Sequence, residues 1–415
     1  MAMVRFRGDA VPVAQETHVT PANVGIGDAF YLTINGRSVS FVATAATVAH
    51  VTAGLANAWN GTGLAEFLEA TAIDRGTHLE LKADVAGRPF EVNASTTDGD
   101  AADTQTLAVT TVVSSAGPQH WDTASNWSTG TVPADGDDVV LENSSGELLY
   151  GLDQSAVTLA SLTIQRSYSG KIGLPVNNPN GYVEYRPSYL KIGATNVLVG
   201  TGIGPGSSRL KIDTGTAATS VSVSHTAAPE SGGAGVAILW KGTHATNQLT
   251  VIKGTVGVAL MAGESATLAQ LRVGQADQPA SDAVVLVGGG VTLAAVQQVN
   301  GICTTRSGVT SVQLHAGEFG LVGDAACTTL NVYGGALRCY STGTIGTLEL
   351  AGGTADFSRD LRGRTVTNCL VHTGSTLHDP GKSVSWSNGV KLNRTRLTGV
   401  VLDLGTHLTL TPSAF

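Results

Sequence analysis

The feature that most constrains this chain is a recurring glycine flanked on both sides by aliphatic residues two positions apart. The rows align on Gly254, Gly289, Gly317, Gly335, Gly353 and Gly374, and the positions compared lie five and three before each glycine and two and four after it. They read Leu249, Val251, Val256, Val258; Val284, Leu286, Val291, Leu293; and Val312, Leu314, Phe319, Leu321. The next three rows read Leu330, Val332, Leu337, Cys339; Leu348, Leu350, Ala355, Phe357; and Cys369, Val371, Thr376, His378. Only Thr376 and His378 are neither apolar nor cysteine. The residues between pair members are mostly polar, as Gln313, Asn331 and Glu349 are, with Leu370 the exception. A period of two means strands with one face turned inward. The last four glycines are 18, 18 and 21 residues apart, the length of one coil of a β-solenoid with glycine at the corner. At about 20 residues per coil and about 4.8 Å per stacked strand, residues 137–405 predict roughly 13 coils and a rod of about 60 Å. Gly274 fits a coil in shifted register, and the long gap before Gly317 predicts an excursion loop.

Composition agrees with this reading. The 52 glycines among 415 residues follow no triplet period, which excludes collagen, and the apolar content of 42% is too high for a disordered chain. A net charge of −8 with no long basic run argues against nucleic acid as a ligand. No stretch approaches the apolar length of a membrane span, so no membrane partner is expected. The opening Met1–Asp9 lacks the apolar core of a secretory signal. Cys303, Cys327, Cys339 and Cys369 show no ligand-type spacing and are expected as buried thiols.

Four regions follow from the pattern. Residues 1–23 read as an extended arm. Residues 24–113 read as a small α+β docking module. In it, Asn35-Gly36 turns a hairpin over Phe30–Val42, and Val48, Val51, Leu55 and Trp59 mark a helix between Thr47 and Gly61. Strands are expected at Leu64–Ile73, His78–Ala83, Pro89–Ala94 and Leu107–Val113. Residues 114–136 form a junction in which Trp121, Asp122, Asn126 and Trp127 are the candidate cap over the end of the rod. Residues 137–415 form the parallel β-helix, so the fold class is mainly β: a β-solenoid preceded by an α+β domain. The far end, Leu404–Phe415, would need cover from its own tail or a partner.

Motifs with chemical meaning favour structural roles. Gly200-Thr-Gly-Ile-Gly-Pro-Gly206 lacks the order and the following helix of a phosphate loop and reads as a solenoid turn. The repeat carries Glu318, Glu349, Asp356 and Asp360, as a polysaccharide-cleaving solenoid would require of paired carboxylates. The alignment instead stacks Glu349 on Asn331 and Gln313, and Asp356 on Arg338 and Gly320. Asp360 lies near Arg359, Arg362 and Arg364, where ion pairs are expected. His372 and the pair His378-Asp379 lack a third ligand. Asp135, Asp137 and Asp138 lack the rest of a calcium loop and read as turn residues. No catalytic, cofactor or metal residues are assigned. Trp240 and Trp386 are lone aromatics on the rod; core or corner packing is the leading reading, and glycan contact by stacking on a sugar is the alternative.

The openings Arg5-Phe-Arg-Gly-Asp-Ala and Gly27-Asp-Ala-Phe-Tyr-Leu-Thr-Ile-Asn-Gly, the run Trp121–Ser128 (W-D-x-x-x-N-W-S) and the run Gly181-Tyr-Val-Glu-Tyr-Arg186 together resemble uncharacterised β-helix proteins of phage and prophage-like regions of planctomycete-type bacteria. The resemblance implies a virion protein: a tail fibre, spike or head-decoration fibre, commonly a homotrimer, assembled in the host cytoplasm. It would dock to other virion proteins through residues 1–113 and touch host surface polysaccharide with the rod. A polysaccharide-degrading tailspike enzyme and a bacterial cell-surface adhesin or surface-layer protein are the rival expectations.

Overall fold

The computed structural model describes residues 2–99, 104–276, 282–393 and 399–405. It is mainly β, with one long parallel ladder wound as a solenoid and a small α+β module at its first coil. The ladder can be followed residue by residue. Val4, Val139, Leu162, Val197, Val221, Leu249, Leu271, Val296, Val312, Leu330, Leu348, Cys369 and Val390 stack in one inward column, each pairing with the next in parallel register. Twelve steps of about 4.8 Å make this ladder about 58 Å long. All but Val390 are buried. Each fully buried aliphatic side chain contributes about 1.5–3 kcal/mol, and this repeated burial, with the ladder hydrogen bonds, holds the rod together.

The first rung is the chain's own start. Strand β1 (Met3–Arg5) lies parallel to β9 (Asp138–Leu141). Between them the chain leaves the rod, builds the module and returns. The expected arm is therefore divided: residues 3–5 belong to the solenoid, and Glu16–Ala22 is an interior strand of the module. Local pattern hid this because the partners of both strands are remote in sequence. A neck marks the exit and return, where Val13 bridges Ala116 and accepts a hydrogen bond from Gly87 N–H.

The module holds two antiparallel sheets and one helix. β2 (Glu16–Ala22), β5 (Ala70–Asp74), β6 (Leu79–Ala83) and β8 (Thr106–Val113) form a sheet in the order β5-β6-β2-β8. β3 (Ala29–Ile34), β4 (Arg37–Val42) and β7 (Asn93–Thr97) form the other. The Asn35-Gly36 hairpin is present, with both residues at positive φ. Helix α1 (Val48–Gly61) is capped by Thr47, whose hydroxyl accepts from His50 N–H. Trp59 is buried and donates its indole N–H to Ala70 O over 2.7 Å. Two expectations shift here. Leu64–Ile73 begins as a 3₁₀ turn (Phe67–Glu69), and strand starts only at Ala70. Pro89–Ala94 is not a strand as a whole: Pro89 has no N–H, and the Gln15 side chain takes the N–H of Phe90 over 3.1 Å. Pairing begins at Asn93.

In the rod, twenty of the aligned inward positions are buried as expected. Four are not. Ala283, Val285 and Val287 face inward where Val284 and Leu286 were expected, because Ala283–Val287 is apolar in both frames. Ser375 and Leu377 replace Thr376 and His378. The corner column is Gly254, Ala283, Gly301, Gly317, Gly335, Gly353 and Ser375. The expected excursion loop before Gly317 is in fact a full coil with its strand at Ile302–Thr305. Its inward Gln298 and Thr305 are polar, which masked it; both are buried and bonded to backbone carbonyls. Glycine is required where coils touch at the corner. Gly353 has φ +67°, and a Cβ there would lie 2.5 Å from Gly335 O.

Candidate functional site

The cap forms at the first rung. Trp121 and Trp127 are fully buried and meet edge to face at 4.7 Å, and Phe6, just after β1, packs on Trp127 at 5.6 Å. Trp127 donates its indole N–H to Trp121 O over 2.7 Å. Asn126 ties the loop shut. Its amide donates to Gly117 O (2.8 Å) and His120 O (2.7 Å), and its oxygen accepts from Ala10 N–H (3.0 Å). Arg5 and Ser128 exchange hydrogen bonds that fasten β1 to the cap. Trp121 and Trp127 thus belong to the apolar core of the rod, and Asn126 is buried in the loop that joins them. Asp122 is not buried: its side chain is half exposed, 3.4 Å from His120 Nδ1.

A clamp, missed in the sequence as a functional element, bolts the module to the rod. It is the run Gly181–Arg186, carried on a long loop between rod strands. Arg186 is buried and donates to Glu184 (Nε, 2.7 Å), to Glu69 of the module (3.2 Å) and to Pro89 O (2.8 Å). Tyr182 and Tyr185 donate their hydroxyls to the two oxygens of Glu69. Burial opposes the charge on both Glu184 and Arg186, but their mutual hydrogen bonds and attraction win: the Glu184 carboxyl is held below its ordinary value and Arg186 above.

A cavity of about 300 Å³ lies at the neck, lined among others by Gln15, His120, Asp122, Tyr150 and Arg186. It brings Ser115, His120 and Asp122 into sequence: Ser115 Oγ lies 3.4 Å from His120 Nε2, and Asp122 Oδ1 lies 3.4 Å from Nδ1. Gly87 O lies closer, 3.0 Å from the same Nε2, and competes with Ser115 for it.

The remaining candidates each have a partner or a place in a turn. The stacking of Glu349 on Asn331 and Gln313, and of Asp356 on Arg338 and Gly320, is as aligned. Arg338 pairs with both Glu318 and Asp356, and Glu349 lies 3.0 Å from His372. Asp360 is held down at about 2, chiefly by the side-chain hydrogen bond from Arg362. His378 pairs with Asp403 at 2.9 Å, while buried Asp379 accepts from Ser383 and Val384 backbone N–H groups. His372 and His378 therefore serve separate partners. Asp135, Asp137 and Asp138 accept from Thr158 N, Ala2 N and Ser161 Oγ, fixing the turn and the first rung. Four glycines of the Gly200–Gly206 run have positive φ, and the strand Leu210–Asp213 follows, as in a solenoid turn. All four cysteines are free and buried, and burial pushes the thiols of Cys303, Cys327 and Cys369 up to about 12.

Trp240 is corrected as a sugar contact. It stands in a second inward column with Leu190, Ile212, Val258 and Val287, and is 1% exposed. Trp386 is half-buried near the far end of the rod, with its ring edge to face with Phe357 at 5.8 Å. Cover over that end by Leu404–Phe415 falls mostly outside the described residues. Among the described residues no helix is long and apolar enough to cross a membrane. Compared with known proteins, the chain matches no family model, no curated protein and no solved structure.

Proposed function

We propose that this chain is a structural, non-enzymatic rod of a phage or prophage-like particle, a tail fibre, spike or head-decoration fibre. The unbroken inward column from Val4 to Val390 carries this reading, since it describes a stiff spacer closed at one end. The outward carboxylates support it, because Glu318, Glu349, Asp356 and Asp360 are each engaged by a cation or histidine. In this reading the module, bolted beside the capped end, docks to other virion proteins, and the free length of the rod projects toward host surface polysaccharide. Exposed Ile302, Tyr333 and Val401 offer apolar surface for association into a homotrimer.

Mass spectrometry of purified particles tests the assignment directly. The chain is expected among the particle proteins, with rods visible by negative stain. Its recovery only in the envelope of uninfected cells would favour an adhesin or surface-layer protein. Release of reducing ends from host polysaccharide, lost in Asp356→Asn, would favour a depolymerising enzyme.

A further inference from the structure

Three ligand-type side chains converge on the module's four-stranded sheet, and none has been used above. His18 sits in β2, directly opposite Glu80 in β6, and His78 lies in the turn that enters β6. One ligand atom from each lies within 4.8 Å of the other two. The imidazoles of His18 and His78 already lie 3.9 Å apart, centroid to centroid, tilted by 31°. The alternation of β2 and β6 sends Val19, Leu79 and Leu81 into the core and leaves this set on the other face. His18 and His78 are half-buried and Glu80 is buried.

We propose that His18, His78 and Glu80 form a binding site for a divalent transition metal of the zinc class. Two imidazole nitrogens and one carboxylate oxygen are a donor set that favours zinc and its neighbours over calcium or magnesium. Tetrahedral ligand atoms around zinc stand about 3.4 Å apart, so closing the site takes only a small side-chain movement. The surroundings already resemble an outer shell, in which the partners of the ligands fix their orientation. Arg75 holds Glu80 Oε2 at 2.7 Å, which leaves Oε1 to bind the ion. Thr77 Oγ1 lies 3.0 Å from His78 Nδ1, freeing Nε2. Glu16 Oε1 lies 3.1 Å from His18 Nε2, an anchoring carboxylate for that ring. Arg75 and Lys82 bring positive charge near the ion. Arg75 is half exposed, so solvent screens its charge from the ion. Three protein ligands leave a coordination position open for water or for a donor from a docking partner.

The test uses the full-length, metal-stripped protein. Titration with zinc chloride followed by calorimetry is expected to show one tight ion per chain, and cobalt(II) is expected to develop the visible absorption of a tetrahedral site. The double variant His18→Gln/His78→Gln and the single variant Glu80→Gln should each weaken zinc by at least tenfold, whereas His315→Gln, a histidine stacked on Tyr333 in the rod, should bind like the parent. In the unaltered chain, zinc should protect His18 and His78 from diethyl pyrocarbonate, read by peptide mass spectrometry; this arm holds even where a variant folds poorly. Zinc affinity in the Glu80 and double-histidine variants equal to that of the parent, or no protection of these two rings at saturating zinc, would overturn the site and leave a pair of adjacent surface rings.

Discussion

Asn126 shows how much one side chain carries. It fills three hydrogen bonds inside the cap with no contact to solvent. Asn126→Ala leaves Ala10 N–H and His120 O without that partner, while Gly117 O keeps the hydrogen bond from His120 N–H; each group left unpaired costs about 1–3 kcal/mol. Chemical denaturation should show a loss of several kcal/mol. Arg186 is the corresponding residue of the clamp. Arg186→Met strands Glu69 and Glu184 in a buried setting, which costs about 3–5 kcal/mol. Hydrogen exchange should then rise across the module while the distant coils keep their protection. Asp137 supplies a pH dependence. Backbone N–H groups of Ala2 and Ala134 hold its carboxyl below the ordinary value. A depressed carboxyl stabilises above its unfolded pKa, and that contribution is lost as pH falls through the folded one. Protection factors of residues 2–6, corrected for intrinsic exchange, should therefore be high at pH 6 and fall below about pH 4, and Asp137→Asn should remove the difference between the two conditions.

At the scale of elements, the coil is the unit of exchange. Gly335 and Gly353 occupy equivalent corners, and Val332 and Leu350 stack directly. Removing residues 335–352 joins equivalent points and preserves every inward column. The product should fold as a rod shorter by one rung of about 4.8 Å, measurable by small-angle scattering. Deleting only residues 335–343 places a strand against a corner and should abolish cooperative unfolding. The same periodicity explains what the sequence revealed. Coils built from Leu330, Val332, Leu337 and Cys339 were legible because only one frame was apolar. Ala283–Val287 was misread by one residue because both frames were apolar, and the Gly301 coil was missed because Gln298 and Thr305 face inward. Of the candidate site, the tryptophans of the cap announced themselves by composition and spacing. Phe6, Glu69 and Arg186 did not, because their roles depend on contacts across more than a hundred residues, which no local period encodes.

For the whole molecule, the arrangement is a stack with unequal ends. The first rung is sealed by two tryptophans and flanked by the module, whereas the inward column beyond Cys369 passes to partly buried Val390. Exposed apolar side chains on the outer faces, Ile302, Tyr333 and Val401 among them, place association on the sides of the rod. Light scattering on purified protein is expected to give three chains per particle. A monomer that persists at high concentration would remove the trimer from the functional reading. Leu348→Ala, in the middle of the column, should cost about 2–5 kcal/mol without changing the number of chains, because it faces inward.

The pairing of β1 with β9 also sets an order of events during synthesis. The two strands are 135 residues apart in the chain. At about 5–20 residues per second on the ribosome, the nascent Met3–Arg5 segment waits roughly 7–27 s for its neighbour to be made. The whole module emerges in that interval and can close on itself first. Growth of the coils must then proceed in one direction, away from a base that is finished only when the intervening domain has folded.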